Sequence, residues 1–536
     1  MLPEDVYFKT LDKEELWKRY CGFLDLTIEE FMQIQRSLLA EQLALVADSA
    51  LGRKILGARP PRTIEEFRET VPFTTYGDYE PYLSEKREDS LAAKPAVWCH
   101  SSGRSGKFKW IPHSEPFMNK TARNCVAVFN LAAASHRGDI TIKPGVRVLV
   151  AIPPAPYTSG IMFENLRKRF TFRSIPPMEL MGSLTFREQI SRAFELALRD
   201  GFDVAGAIAS VLVRMGEQMS GQAARMSKLS LTTLHPKALF RMLRGFIRSR
   251  AQKRPVYPKD LWNPLAIMAS GVDANIYRDD LKKYWGIAPF DVYGSAEMMF
   301  VAMQSWTKAH MTFLPDMVFL EFLPHSEREE AESKPGDALL IDQVKPGGLY
   351  ELIITQFHGM PLLRYRTGDV IRVVSIGDEK AGVKLPQIEV RRKINEAINL
   401  ASLCTLDERT IWTAIADSGL SYVDWTAYKE YDHNETFLRL AIELKEPLSA
   451  AEVSRLVDER LKKIDLDYVD VERYLGFNPV RTTVLSKGTF ARYTEARVRE
   501  GAVLSHWKPA HVNPSADVLS SLLGAGAVVD EERHRE

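Results

Sequence analysis

Residues 277–297 read YRDDLKKYWGIAPFDVYGSAE. The first nine residues, Tyr277–Trp285, carry a helical pattern, and Phe290–Tyr293 is a short apolar run of strand type. A helix that delivers a buried strand is the repeating unit of an α/β fold. The strand ends in Val292-Tyr-Gly-Ser-Ala-Glu297. An aromatic at that point offers a face for a base, and a glutamate offers a carboxylate for a magnesium ion.

Working outward, the pattern recurs. Val146–Ile152 (VRVLVAI) and Leu265–Ala269 (LAIMA) are apolar runs between helical segments, as buried parallel strands require. Farther on, Leu349–Phe357 and Val370–Val374 flank a His-Gly-Met-Pro turn and predict antiparallel β structure in the same domain. Residues 325–348, rich in charge, Pro and Gly, predict a surface excursion between strands.

Residues 11–56 are helical by pattern. Thr27 and Glu30 form a capping box ahead of Phe31, Ile34, Leu38, Leu39, Leu43 and Leu45. The Thr-x-x-Glu signature recurs at Thr63/Glu66, Thr185/Glu188 and Thr405/Glu408, each ahead of a periodic segment. Near Arg391-Arg392-Lys393 the pattern changes to helix (405–417), strand (435–443) and helix (449–463). The expected division is residues 1–390, with 1–62 a helical extension, and residues 391–536, with the tail from about 524 disordered. The fold class is α/β: a large N-terminal α/β domain plus a small, mobile α+β C-terminal domain.

The chain has 536 residues, 45% hydrophobic and 26% charged, with 71 Lys+Arg against 70 Asp+Glu. That length calls for more than one core. A net charge of +1 argues against a dedicated nucleic-acid binder. The one basic stretch, Arg241–Lys259, reads as a solvated helix face or as a dock for a phosphorylated co-substrate. Cys21, Cys99, Cys125 and Cys404 form no C-x-x-C pair and have no zinc spacing. The acidic start MLPEDVYFKTLDKEE is not of signal-peptide type, and no run of about 18 apolar residues occurs. The expectation is a cytoplasmic protein with no membrane partner; its oligomeric state is left open.

Several catalytic signatures are absent: G-x-S-x-G, G-x-G-x-x-G and H-E-x-x-H. The stretch HSSGRSGKFKW (100–110) also fails the Walker test, since no Ser or Thr follows Lys107 and Gly103 is too close to it. Its glycines and the hydroxyls of Ser101, Ser102 and Ser105 still suit an anion-binding loop. An ordinary surface turn remains the other reading. Arg364-Tyr-Arg-Thr-Gly-Asp369 adds an aspartate that can accept two ribose hydroxyls. Near the end stand Lys487-Gly-Thr-Phe490 and His506-Trp-Lys508-Pro.

In this order the stretches resemble the adenylate-forming superfamily, and within it most closely the auxin-responsive-promoter family of acyl acid amido synthetases. The carriers are SSGRSGKFKWIP (101–112), FLPDMVFLEFLP (313–324), LYELIIT (349–355), RYRTGDV (364–370), GTF and WKP. The FLPDMVFLEFLP block is the most family-specific. VPFTTYGDYEPYL (71–83) also resembles phenylacetate–CoA ligases. The likeness spans about Thr63 to Pro509.

The resemblance implies roles. Ser101, Ser102, Gly103, Arg104, Ser105, Gly106 and Lys107 would cover the β- and γ-phosphates of ATP. Ser270 and Gly271 would line the adenine, with Tyr293 and Gly294 on its face. Ser295 would approach the α-phosphate, Glu297 would bind Mg²⁺, and Asp369 would hold the ribose with Arg391 or Arg392. Lys508 would serve adenylation, with Lys487 as competitor. One departure is Arg104, where the family usually has threonine.

The implied chemistry activates a carboxylic acid as acyl-AMP and passes the acyl group to an acceptor. An amino acid amine is the first candidate, coenzyme A the second, and a non-catalytic relative the third. The C-terminal domain would rotate about residues near 391–395 between half-reactions. Phe129, Pro154, Tyr157, Phe163 and Met178 are candidate lining for the acid.

Overall fold

Apolar β runs separated by helices assemble into one large sheet, and a computed structural model shows its order. It describes residues 1–101, 109–152, 155–181, 186–208, 212–213, 215–217, 219–220, 235–270, 278–325, 334–393, 398–400, 404–406, 408–432, 435–499, 511–514, 516–524 and 527–531. The chain divides into two compact units. The first is built on Met1–Ser101, Lys109–Leu184 and Glu188–Ile394, the second on Asn395–Glu536.

In the first unit, β1 (Val97–Ser101) and β2 (Lys109–His113) form an antiparallel pair with Ser101 opposite Lys109. Eleven strands make the main sheet. They are β3 (Val146–Ala151), β4 (Phe172–Ile175), β5 (Val204–Ile208), β6 (Ala266–Ser270), β7 (Phe290–Ser295), β8 (Met299–Gln304), β9 (Met311–Phe313), β10 (Val318–Pro324), β11 (Leu349–Gln356), β12 (Tyr365–Ser375) and β13 (Gln387–Lys393). Their spatial order is β10-β11-β12-β13-β9-β8-β7-β6-β5-β3-β4. From β4 to β7 all pairs are parallel; from β7 to β10 all are antiparallel. The strand that opened the sequence argument, β7, is therefore where the sheet changes sense. In open α/β sheets ligands bind beyond the carboxyl ends of the parallel strands.

The expected strands Val146–Ile152, Leu265–Ala269 and Phe290–Tyr293 correspond to β3, β6 and β7, and the expected antiparallel pair corresponds to β11 and β12. The capping box at Thr27 forms in both directions, Glu30 N–H to Thr27 Oγ1 (3.2 Å) and Thr27 N–H to Glu30 Oε2 (2.8 Å). It opens the helix Ile28–Val46. The buried face of that helix is not purely apolar. Leu45 is exposed, whereas Gln35 and Gln42 are buried. Gln35 donates to Val318 O (2.9 Å) and accepts from Leu320 N–H (2.9 Å). Gln42 bonds Met360 O and Gly359 N–H, both at 2.7 Å. A sheet-edge strand has backbone groups with no ladder partner, and Gln35 covers those of β10.

Three expectations need correction. Thr405 starts no helix: it lies in β15 (Cys404–Leu406), paired with β14 (Ile398–Leu400), and the helix begins at Glu408. The second half of the 325–348 excursion is only partly surface: Ala338, Leu340, Ile341 and Val344 are buried and Leu339 pairs with Phe322, while Asp337, Asp342, Gln343 and Lys345 are exposed. The tail is not wholly disordered. Val528–Glu531 forms β19, antiparallel to β18 (Val480–Leu485). The unit boundary falls slightly past 390 because β13 completes the large sheet.

The second unit's sheet runs β16 (Tyr422–Asp432), β17 (Glu435–Leu444), β18, β19. Helices Ala450–Ile464 and Leu466–Leu475 make the crossover between parallel β17 and β18. Its core gathers Trp425, Leu438, Leu440, Ile442, Val453, Val457 and Leu461.

Candidate active site

The turn after β7 holds the site together. At Gly294 an added Cβ would lie 1.7 Å from Met299 O, so only glycine lets β7 and β8 approach there. The turn Ser295–Glu297 then carries three polar groups. Ser295 Oγ donates to Glu297 Oε2 (2.7 Å), and Tyr365 Oη donates to Glu297 Oε1 (3.3 Å). Gln356 Nε2 donates to Glu297 O (2.9 Å). The carbonyl of Ala296 faces the β1–β2 pair, accepting from His113 Nε2 (2.7 Å) and from Cys99 Sγ (3.5 Å).

Each partner comes from a different stretch of the sequence. Cys99 and His113 belong to the strands whose inner ends flank 102–108. Gln356 closes LYELIITQ, and Tyr365 belongs to RYRTGD. Three distant segments, the β1–β2 hairpin, the end of β11 and the start of β12, thus meet on one three-residue turn where the sheet changes from parallel to antiparallel pairing.

The electrostatics follow from burial. His113 is fully buried, stacks on Phe117 at 4.6 Å, and its pKa is pushed down to about 4 by desolvation. A neutral imidazole with Nε2–H serves as a fixed donor at ordinary pH, not as a general acid. Tyr293 Oη donates to Asp369 Oδ2 (2.8 Å). Burial first, and the adjacent carboxylate second, push that phenol well above its ordinary value. Asp369 is held in turn, its N–H donating to Thr367 Oγ1 (3.1 Å), while Thr367 Oγ1 donates to Leu352 O (2.7 Å). So Tyr293 and Asp369, separate candidates in the sequence, form one unit.

The other candidates are placed as follows. Ser270 ends β6, one position past the Ala269–Asp291 pair at the start of β7. On β13, Lys393 lies opposite Asp369 and Arg392 opposite Val370, with Arg391 the extra residue of a bulge. Ser101 ends β1. Ser102, Gly103, Arg104, Ser105, Gly106, Lys107, Gly271, Lys508 and Pro154 lie outside the described residues. Lys487 is exposed, beside a helix start where Gly488 and Phe490 N–H groups bond the Glu443 carboxylate (2.6 and 3.0 Å). Among the lining candidates, Phe129 is core, while Tyr157 meets His100 of β1 edge-on at 4.5 Å.

Not every motif residue serves the site. Arg364, fully buried with φ +46°, forks onto Glu321 (3.0 and 2.8 Å) and donates to Arg68 O, Val71 O and Pro335 O. Arg366 pairs with Glu351 at 2.5 Å. Thr74 N–H bonds Arg364 O, and Arg366 N–H bonds Thr74 O, which ties VPFTTYGDYEPYL to the same strand. The charges of the family-specific blocks thus fasten β10, β11 and β12. In the basic stretch, Arg241 and Arg244 donate to backbone carbonyls and Arg254 pairs with Asp260 at 2.7 Å, so these three are spent internally.

Whether the turn fits Mg²⁺ can be judged from its donors. Mg²⁺ in nucleotide sites takes one or two protein carboxylates and completes its shell with phosphates and water. Among the described residues no group of three or more His, Cys, Asp or Glu could form a protein-only cage. Glu297, a carboxylate that accepts from the Ser295 and Tyr365 hydroxyls in the turn after β7, fits that mode of binding.

A large α/β unit followed by a smaller α+β unit is the construction of an adenylate-forming ligase. Solved structures share the fold: 2-hydroxyisobutyryl-CoA ligase bound to 2-HIB-AMP and CoA (14% identity, TM-score 0.59, 95% of this chain and 93% of that one). A second is the acyl acid amido synthetase AtGH3.15 in complex with 2,4-DB (19%, TM-score 0.54, 100% and 99%). The chain belongs to the GH3 family, whose N-terminal domain matches residues 21–189, central domain 311–393 and C-terminal domain 409–516. A curated relative is the probable indole-3-acetic acid-amido synthetase GH3.1 of Oryza sativa subsp. japonica, 24% identical over 90% of this chain and 87% of its own length. Another, from the same plant, is the jasmonoyl–L-amino acid synthetase GH3.5, 26% identical over 39% of this chain and 38% of its own length. No described helix is long and apolar enough to cross a membrane.

Proposed function

We propose that the protein is an ATP-dependent acyl acid amido synthetase. A carboxylate oxygen attacks the α-phosphorus of ATP, the Pα–O–Pβ bond breaks, and pyrophosphate leaves. The amine of an amino acid then attacks the acyl carbonyl, AMP departs with the former carboxylate oxygen, and the amine loses a proton. The observation that carries the reading is the convergence of three segments, each in or next to a quoted motif, on the Ser295–Glu297 turn.

In this reading Asp369, oriented by Tyr293, accepts the ribose hydroxyls. The glycine- and serine-rich residues 101–107 bind the β- and γ-phosphates. Glu297 would hold Mg²⁺, which supplies charge neutralisation at the phosphates. Ser295 keeps the Glu297 carboxylate oriented. Lys508 offsets the charge that builds as two anions meet, an effect worth on the order of 3–4 kcal/mol per group. No covalent enzyme intermediate is needed.

The test is incubation with ATP, Mg²⁺ and a library of carboxylic acids, with pooled amino acids or coenzyme A as acceptor, read by mass spectrometry. Amide products support the proposal. A thioester as the only product would replace it with an acyl-CoA ligase, and absence of acid-dependent pyrophosphate exchange would sink both.

A further inference from the structure

The helix Pro236–Ala251 of the first unit turns its small residues inward. Its buried positions are Ala238, Met242, Gly245 and Ser249. A Cβ added at Gly245 would lie 2.3 Å from Leu261 Cδ2, so glycine permits a close approach there. The large apolar residues point the other way. Leu239, Phe240, Leu243 and Ile247 are exposed by 41%, 67%, 58% and 62%. At 3.6 residues per turn these four cover about 100° of the helix circumference, a full apolar face. A helix with the core as its only apolar partner would be set the other way round, large residues in and small ones out.

This orientation is fixed at both ends. Arg241 Nη1 donates to Leu198 O (2.6 Å) and Arg199 O (2.8 Å), and Arg244 Nη2 donates to Leu261 O (2.8 Å). Beyond them Ser249 Oγ donates to Arg254 O. The outer face is also of one charge. No acidic residue occurs from Pro236 to Lys259. Lys237, Arg248, Arg250 and Lys253 are exposed. By helical angle Arg250 lies within the apolar sector, and Lys237 and Arg248 lie beside it. Such long basic side chains can lay their stems along apolar surface and place their charges in a layer of anions.

We propose that this face docks on the surface of an anionic lipid bilayer. The helix lies in the interface, with Phe240, Leu243 and Ile247 at the upper acyl chains and Arg248, Arg250 and Lys253 at lipid phosphates. Charge complementarity decides the occupant: a second copy of the chain would set two basic faces against each other. The expectation of no membrane partner rested on the lack of a spanning run, and a helix that lies on a bilayer needs none. The contact goes beyond the ligase reading and holds or fails without it.

The test is co-sedimentation of the full chain with vesicles. Phosphatidylcholine vesicles with about 30% phosphatidylglycerol should carry the protein down, and pure phosphatidylcholine vesicles should not. Arg248→Gln/Arg250→Gln should bind about 30-fold more weakly, the loss of two charges at such a surface. Phe240→Gln/Ile247→Gln should bind at least about tenfold more weakly, because inserted apolar area is lost. All four side chains are exposed, so both variants should melt with the wild type. Absence of binding to the anionic vesicles overturns the proposal. So does wild-type binding by Phe240→Gln/Ile247→Gln, which would show a contact of charge alone. If vesicles fail and sedimentation velocity shows a dimer that this variant dissolves, the face belongs to a second copy. If vesicles fail and polyglutamate binds, it belongs to an acidic protein; either result replaces the lipid surface.

Discussion

Two buried glutamates of the first unit, Glu297 and Glu321, look alike in the sequence and are held in different ways. Glu321 meets the Arg364 fork at 2.8 and 3.0 Å, with Arg68 Nε at 3.5 Å. Glu297 is bonded by hydroxyls, Ser295 Oγ and Tyr365 Oη. A guanidinium fork matches a carboxylate so well that the pair becomes a structural rivet. Hydroxyl donors orient a carboxylate by bonds individually weaker than a bidentate guanidinium fork. The contrast separates a carboxylate that joins strands from one suited to chemistry, and substitutions can break it.

The largest effect belongs to the rivet. Glu321→Gln leaves a buried guanidinium without its anion, a loss of about 3–5 kcal/mol. Denaturant unfolding should show it, with the half-reactions of the surviving folded fraction close to wild type. A Glu321→Gln protein as stable as the wild type would erase the distinction. Next comes Glu297→Gln, which keeps the shape and an acceptor for one hydroxyl. Stability should change by no more than about 1 kcal/mol, while acid-dependent pyrophosphate exchange falls on the order of 10²–10³-fold. Lys508→Ala should lose exchange to a similar degree and still transfer from supplied acyl-AMP. Retained exchange there would move the role to Lys487.

A smaller effect follows from His113, which fastens the turn that carries Glu297. Its folded-state pKa lies below its unfolded value, at about 4 against 6.5. The unfolded chain therefore binds a proton first as pH falls. The stability contributed by neutral His113 is complete above about pH 6.5 and is lost as pH drops toward 4, by up to about 3 kcal/mol. Urea melts between pH 7 and 4.5 should show a slope that His113→Gln flattens. His511, bonded to Glu408 and Asp424 in the second unit, has the opposite sign: its contribution is present below its unfolded pKa and fades as pH rises.

Much of this was legible in the sequence because it depends on local pattern. Parallel strands show as apolar runs such as Val146–Ala151, and Tyr293 and Glu297 stand out at the end of one by their chemistry. What stayed hidden depends on distant partners. Gln35 and Gln42 break the apolar face of their helix because the strand edge and the turn they meet need donors and acceptors. Arg364 sits in a motif that reads as nucleotide-binding, yet its charge is used on Glu321. β16 (YVDWTAYKEYD) alternates charge with aromatics, and its outer edge is covered by residues 511–513, far away in sequence. Helix starts are cheap to mimic, which is why Thr405 read as a cap while its backbone was pairing with Asn399.

The finest test concerns Tyr293, whose hydroxyl bonds Asp369 as Tyr365 bonds Glu297. Tyr293→Phe keeps the ring and removes one donor to a buried carboxylate. The direct cost is about 1 kcal/mol in stability. If the hydroxyl's role is to aim Asp369 at the ribose, KM for ATP should rise several-fold with kcat nearly unchanged, because ground and transition states lose the same contact. The matching Tyr365→Phe change acts on Glu297 instead and should lower kcat while leaving KM for ATP close to wild type. If both variants altered the same parameter, the two carboxylates would not be doing separate jobs, and the assignment of Asp369 to binding and Glu297 to charge stabilisation would fail together.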